Sequence, residues 1–313
     1  MVNADMRTLR IWRGVLCLTV AFDTVVVSIK SHWRPLFDAT VRAPLGPLGT
    51  DLALVALALL ALYGLARYAG RKSTLGHALL GLAGMEGCFA VYAAIYPTGH
   101  EDLVQASAAL LGWVAAHAIA RAAKVGQGRG VDGELVEMRW AAFGFLTLLG
   151  ATYMNAAMSK LSGSGGRWAG SDTLQLMVLS HFEYGRSGGL TELRWQVGQS
   201  AALCSVLSGL TLVVQLGAFA LVIDRTRRLW AFFLLSMHLG IYASSRILFV
   251  QVLVVLAAIV VPWSWRKAPR GESEGAPPDT SIAERASIGR ALLGAAAAGF
   301  ARVAAGATLG LGR

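Results

Sequence analysis

Long uninterrupted apolar runs constrain the fold of this chain more than any other feature. A helix needs about 20 mostly apolar residues to cross the hydrocarbon core of a bilayer, because backbone amides cannot be left unpaired in lipid. The chain is 55% hydrophobic and 15% charged, and most of its charges lie between the runs, so a soluble fold is excluded. We predict helical spans at Ile11–Ile29, Leu52–Tyr68, Leu75–Tyr96, Leu103–Ala123, Trp140–Ser159 and Ala201–Ile223.

The next apolar run, Leu229–Val261, is too long for one upright span. As a single helix it would reach roughly 50 Å, against a hydrocarbon core of about 30 Å. We expect a break at Ser244-Ser245-Arg246, which would divide the run into two short or tilted helices. The predicted fold is therefore an all-α polytopic transmembrane bundle of about six to eight spans.

The distribution of basic residues predicts the orientation of the bundle. The formal net charge is +10, and Lys and Arg collect in alternate short loops, whereas the loop Pro97–Asp102 has neither. Because basic loops stay in the cytoplasm, the N-terminus is expected to be cytoplasmic, and the charge indicates the lipid bilayer rather than nucleic acid as the partner. The basic loop clusters are Arg67/Arg71/Lys72, Arg121/Lys124/Arg129 and Arg225/Arg227/Arg228.

Composition divides the chain into three segments. Residues 1–265 carry the apolar runs and form the predicted bundle, and the first run is expected to be retained because Asp23 interrupts its likeness to a signal peptide. Residues 266–280 are rich in Pro, Gly and Glu, which predicts a flexible linker. Residues 281–313 are rich in Ala and Gly, which predicts an amphipathic or disordered cytoplasmic tail.

The connection that follows Lys160 has a helical pattern of its own. Ser171-Asp172 can begin a helix, and Leu174, Met177, Val178 and His181 recur at helical spacing. This pattern predicts an outer amphipathic helix on the membrane face, which either covers a pocket as a lid or simply packs in the interface.

Charged and polar side chains inside apolar runs are the candidates for function, because they are costly in lipid and usually face a partner or a cavity. Each has an ordinary alternative, which is an interhelical hydrogen bond that fixes packing. Lys160 ends the fifth run, where it either extends to water or, if buried, offers an amine that acts as a base. The candidates are Asp23, Glu86, Lys160, His238 and Arg246, with Asn155 and Gln215 as polar neighbours.

The cysteines and histidines do not form a recognisable redox or metal motif. Cys17, Cys88 and Cys204 lie apart inside predicted spans, so we interpret them as packing residues without a disulfide. The remaining histidines lie near loops or alone in spans without ligand spacing, so no metal site is predicted. They are His32, His77, His100 and His117.

One local pattern resembles a known membrane family. Tyr153 is followed seven residues later by Lys160-Leu161, with small residues between them, and then by Trp168 and Gly170. Further on, Phe232-Phe233-Leu234-Leu235-Ser236-Met237-His238 leads into an apolar run. Both segments resemble the horizontally transferred transmembrane (HTTM) domain, the membrane domain of vitamin K-dependent gamma-carboxylase and its bacterial relatives. In size, this chain is similar to the compact branch of the family, which includes the membrane protein that matures the sporulation-delaying toxin.

The resemblance implies an outward-facing pocket in a bacterial cytoplasmic membrane. It gives Lys160 the role of the base that deprotonates vitamin K hydroquinone or another quinol, and it matches His238 to a histidine of the family's final core helices. We therefore expect Lys160 to act as a base or as an anion-binding group, with His238 assisting. The expected substrate is a secreted peptide or a quinone-like lipid. The substrate-binding candidates are Asp23, Glu86, Tyr153, Asn155, Trp168 and Arg246.

Three functions stay open at this point. The first is a carboxylase-like or other peptide-modifying membrane enzyme. The second is a non-catalytic maturation or export partner of a secreted peptide toxin, which would work beside a companion maturation protein. The third is a transporter or channel that uses Asp23, Glu86 and Arg246 as a charge relay.

Overall fold

The computed structural model describes residues 2, 4–37, 46–70, 74–95, 104–125, 131–164, 167–183, 191–245 and 249–262. All regular elements in these ranges are helical, which confirms the predicted all-α fold. Two short 3₁₀ helices, Arg167–Ala169 and Gly217–Val222, accompany the α-helices. The α-helices are α1 (Met6–Phe37), α2 (Pro47–Ala69), α3 (Leu75–Ile95), α4 (Val104–Ala122), α5 (Val131–Ser164), α6 (Ser171–Glu183), α7 (Thr191–Gln199), α8 (Ala201–Leu216), α9 (Arg227–Ser245) and α10 (Val250–Val260).

Five of the described helices are long and apolar enough to cross a membrane. They contain the segments Met6–Ser31, Leu48–Ala69, Leu75–Ile95, Gly133–Gly163 and Ala201–Val222, and α10 is a shorter apolar helix. This composition fits a membrane-embedded protein, because apolar side chains on the outside of such helices meet lipid.

Several helix ends differ from the predicted ends. α5 begins well before Trp140, and the predicted span Ala201–Ile223 is α-helical only to Leu216, where Gly217 begins the 3₁₀ segment. The long apolar run divides into α9 and α10, as its length requires. The helix predicted after Lys160 is α6, whereas α7 was not predicted, since its sequence is short and mostly polar. Residues 266–313, with the predicted linker and tail, lie outside the described residues.

The described chain divides into two compact units. The first contains the residues up to Leu149 together with Val261 and Pro262, and the second is Gly150–Val260. In the first unit, glycines bring helix backbones together. A Cβ added to Gly84 of α3 would lie 2.6 Å from the Leu57 carbonyl oxygen of α2, so these helices approach more closely than any larger residue would allow. Gly112 of α4 and Gly144 of α5 meet in the same way.

The second unit contains the end of α5 and helices α6 to α10. A tight turn joins the 3₁₀ segment to α9, where Arg227 donates to the Leu221 carbonyl at 3.0 Å and pairs with Asp224. At the other end of α9, Arg194 of α7 donates to the Ala243 carbonyl at 2.6 Å. Arg194 is only 6% exposed, so a buried cation satisfies a carbonyl at a helix end where no helical N–H is available.

Candidate functional site

Lys160 of α5 directs its ammonium group toward other side chains of the second unit. Its Nζ donates to the amide oxygen of Gln215 at 2.8 Å and lies 4.6 Å from the centre of the Trp168 ring. Gln215 is only 5% exposed, so the hydrogen bond anchors the lysine to the buried face of α8. Each contact stabilises a cation by roughly 1–2 kcal/mol, which disfavours an arrangement with the ammonium extended alone into water.

Tyr153 and His238 form a buried hydrogen-bonded pair. The Tyr153 hydroxyl lies 2.7 Å from His238 Nε2, and the two residues are 0% and 4% exposed. Tyr153 is seven residues before Lys160 on α5, which places both side chains on one face of the helix, two turns apart. The predicted Tyr and Lys motif therefore brings both side chains to the same side of α5.

The other nitrogen of His238 makes no hydrogen bond with the described residues. His238 Nδ1 is buried, and no described donor or acceptor reaches it. A buried ring nitrogen without a partner costs about 1–3 kcal/mol, so a group that reached this atom would gain by forming a hydrogen bond with it. The tautomer decides whether it accepts or donates: if Tyr153 donates to Nε2, then Nδ1 carries the proton.

Phe249 covers one side of this imidazole. The centres of the Phe249 and His238 rings are 5.0 Å apart in an edge-to-face arrangement. Phe249 immediately precedes α10. Phe249, just before α10, therefore contacts His238 of α9. The sequence predicts the break between α9 and α10 but does not mark Phe249, because an aromatic residue in an apolar run has no distinguishing pattern.

Lys160 and the Tyr153–His238 pair lie in the same unit, close enough for the charge of the lysine to act on the imidazole. We call these three side chains, with Gln215 and Trp168, the Lys160 cluster. The cluster combines a cation that attracts oxygen anions, an imidazole with an available nitrogen, and a buried phenol. These groups can bind and polarise an acidic hydroxyl or a carboxylate.

The remaining predicted site residues lie elsewhere or in different surroundings. Asp23 is 1% exposed in α1 of the first unit, whereas Glu86 is exposed on α3 of the same unit. Asn155 is half-buried on α5. Arg246 lies outside the described residues.

A second buried polar network lies in the first unit and was not predicted. The Tyr68 hydroxyl lies 2.8 Å from His117 Nδ1, and His117 Nε2 lies 3.6 Å from a carboxylate oxygen of Glu137. The guanidinium carbon of Arg13 lies 5.5 Å from the centre of the Tyr68 ring, and Arg13 donates to the Gly70 carbonyl at 3.1 Å. Each residue comes from a different helix, so no sequence spacing could have related them.

The described part of the chain contains no group of three or more His, Cys, Asp or Glu side chains that could hold a metal ion. Cys17, Cys88 and Cys204 are buried and free, consistent with a packing role. Cys88, for example, packs with Val27 and Tyr92 in one apolar cluster.

The part of the chain that the structure describes is an all-α bundle with five membrane-length apolar helices, which is the architecture of a polytopic membrane protein. Comparisons with protein-family models, with curated proteins and with solved structures find no match to this chain.

Proposed function

We propose that this chain is a membrane protein of the HTTM type whose second unit binds and activates an acidic oxygen of a quinol-like lipid or of a secreted peptide. The proposed site consists of Lys160, His238, Tyr153, Gln215 and Trp168. In the proposed orientation the N-terminus is cytoplasmic, the site faces outward, and the protein lies in a bacterial cytoplasmic membrane.

The contacts of Lys160 carry this proposal. An amide oxygen and an aromatic face both favour the charged ammonium form. In the resting site Lys160 therefore serves best as an anion-binding group, which lowers the cost of removing a proton from a bound hydroxyl. The alternative role as a base requires that the lysine first lose these contacts.

His238 and Tyr153 would complete the proton transfer. In the tautomer with the proton on Nε2, this N–H donates to the Tyr153 oxygen and Nδ1 is free to accept a proton from the bound hydroxyl. The imidazolium that forms keeps its hydrogen bond to Tyr153. A bound quinol would supply an acidic hydroxyl to this pair. Phe249 would keep water from the same side of the ring.

The test is ligand binding to the full chain in lipid nanodiscs, with vitamin K hydroquinone kept under anaerobic conditions as the probe. We expect Lys160→Ala to weaken binding by about tenfold or more, since a lost charge-assisted contact to a buried anion is worth about 1.5–3 kcal/mol. Tryptophan fluorescence quenching follows the titration, and Trp168 beside Lys160 makes it sensitive to this site.

Lys124→Gln is the matched control, because Lys124 is an exposed lysine of the first unit and should leave binding unchanged. If the hydroquinone does not bind, or if Lys160→Ala binds it as tightly as the original chain, the quinol site is excluded.

A non-catalytic role in binding a secreted peptide is the second candidate function. Two apolar side chains on the helices between α5 and α8 favour it: Leu176 of α6 is 69% exposed and Trp195 of α7 is 46% exposed. Exposed large apolar groups on short helices can hold a peptide by hydrophobic contact.

This second candidate predicts a different pattern of variants. Binding of a secreted peptide would weaken in the double variant Leu176→Ser, Trp195→Ser and persist in Lys160→Ala. Crosslinking of a photoreactive peptide to the reconstituted chain distinguishes the two outcomes. Equal crosslinking to all variants would remove the peptide-binding role from these helices.

A further inference from the structure

The exposed face of α3 carries a carboxylate at the centre of a membrane-length helix. Exposed residues recur every three or four positions along α3 and so form one stripe. Glu86 lies in the middle of this stripe, roughly 14–16 Å from either end of α3 at 1.5 Å per residue. The members of this α3 stripe are Leu79, Ala83, Glu86, Ala90 and Ala94.

An exposed carboxylate at this depth is costly in lipid. The hydrocarbon core is about 30 Å thick, so Glu86 falls near its midplane if α3 spans the bilayer. A charged side chain at that depth costs about 2.5–3.5 kcal/mol on insertion scales. No hydrogen bond or ion pair joins Glu86 to any other described residue, so nothing in the described chain offsets this cost.

The exposed face of α2 has an ordinary lipid-facing composition and provides a comparison within the same unit. Most of its exposed residues are large apolar side chains, with Leu52 63% exposed and Leu59 62% exposed. On the α3 stripe, three of the five residues are alanines that surround the carboxylate. Small side chains allow a second helix to approach closely, so that its polar group can reach Glu86.

We infer that the α3 stripe is a docking surface for the transmembrane helix of a partner protein that carries an Arg or Lys at mid-bilayer depth. Such a cation would pair with Glu86 and remove the cost of a lone charge in lipid. Charge also decides against a second copy of this chain, because a symmetric contact along α3 would bring two Glu86 carboxylates together. The inference rests on first-unit residues and is independent of the proposed function.

A defined peptide tests this inference. The full chain, carrying a donor fluorophore at its N-terminus, is reconstituted in vesicles with a synthetic Leu/Ala helix of about 22 residues that has one central Arg and an acceptor fluorophore. A second peptide has Leu at the centre. We expect saturable energy transfer with the Arg peptide and at least about tenfold weaker association of the Leu peptide, which corresponds to about 1.4 kcal/mol.

Three variants assign the interaction to the stripe. Glu86→Gln should reduce association of the Arg peptide by about tenfold, and Ala90→Leu should block close approach by adding bulk beside the carboxylate. Ala66→Leu is the matched control, since Ala66 is an exposed alanine on α2, and it should leave association unchanged.

Two results would overturn the inference. Equal association of the Arg peptide with the original chain and with Glu86→Gln would show that the carboxylate does not bind the partner. Self-association of the chain without peptide, lost in Glu86→Gln, would show that a second copy occupies the surface instead.

Discussion

At the scale of single residues, the polar side chains inside the helices differ mainly in what they contact. Tyr153 and His238 hydrogen-bond to each other, Lys160 contacts Gln215 and Trp168, and Glu86 has no partner in the described chain. These four polar residues therefore belong to three physical situations. The Tyr153–His238 pair and Lys160 are suited to a site, and Glu86 is suited to an interface.

Tyr153→Phe tests the buried pair. Loss of the hydroxyl leaves His238 Nε2 buried without its partner, so we expect the free energy of unfolding to fall by about 1–3 kcal/mol. Thermal unfolding of the purified protein in detergent measures the effect. Tyr63→Phe is the control, because Tyr63 is 55% exposed and should change stability little.

A double variant separates the pair from its surroundings. If Tyr153 and His238 act through their shared hydrogen bond, the effects of Tyr153→Phe and His238→Phe will not add, and the interaction energy will be about 0.5–3 kcal/mol. Strict additivity would mean that the two side chains stabilise the unit independently.

At the scale of helices, close backbone contact decides how α2 and α3 pack. Gly84 places no side chain between the two helices, and its added Cβ would lie 2.5 Å from the Ala61 amide nitrogen. Because backbone atoms cannot move aside as a flexible side chain does, any larger residue must separate the helices.

Gly84→Ala should therefore destabilise the protein by about 1–3 kcal/mol, despite the higher helix propensity of alanine. The matched control is Gly209→Ala in α8, where an added Cβ meets nothing within 4 Å. That change should be neutral or should stabilise by up to about 1 kcal/mol. Thermal unfolding of both variants gives the comparison, and equal effects would exclude the packing explanation.

At the scale of the whole molecule, the apolar helices determine the environment, and the basic loops predict the orientation. Among the described residues, five helices have the length and composition of membrane spans. The proposed cytoplasmic N-terminus follows from Arg and Lys near alternate helix ends, such as Arg67 of α2 and Arg121 of α4.

Cysteine labelling on intact cells tests the proposed orientation. Gly163→Cys lies exposed near the end of α5, with nothing within 4 Å of its added Cβ, and Lys124→Cys lies exposed after α4. We expect a membrane-impermeant thiol reagent to label Cys at 163 from outside and Cys at 124 only after permeabilisation. The three native cysteines are buried and give little background. The reverse pattern would invert the proposed orientation.

Much of the fold could be predicted from the sequence, because lipid imposes simple local requirements. Apolar runs such as Leu75–Tyr96 closely matched the observed α3, and the length of Leu229–Val261 required the break that separates α9 from α10. Each of these runs must be helical, because in lipid the backbone amides can form hydrogen bonds only within the run itself. The short helix α7 was missed, since it is too polar for that requirement to apply.

The sequence by itself determined the helical class and the positions of the long helices, and it showed which polar residues lie inside the apolar runs. Only the tertiary structure decided the partners of those residues: His117 meets Tyr68, Lys160 meets Gln215, and Glu86 is left exposed. The physical reason is that hydropathy and helical spacing act within one segment, whereas a hydrogen bond between helices depends on their packing and rotation. Residues 49 or 55 positions apart meet for that reason alone.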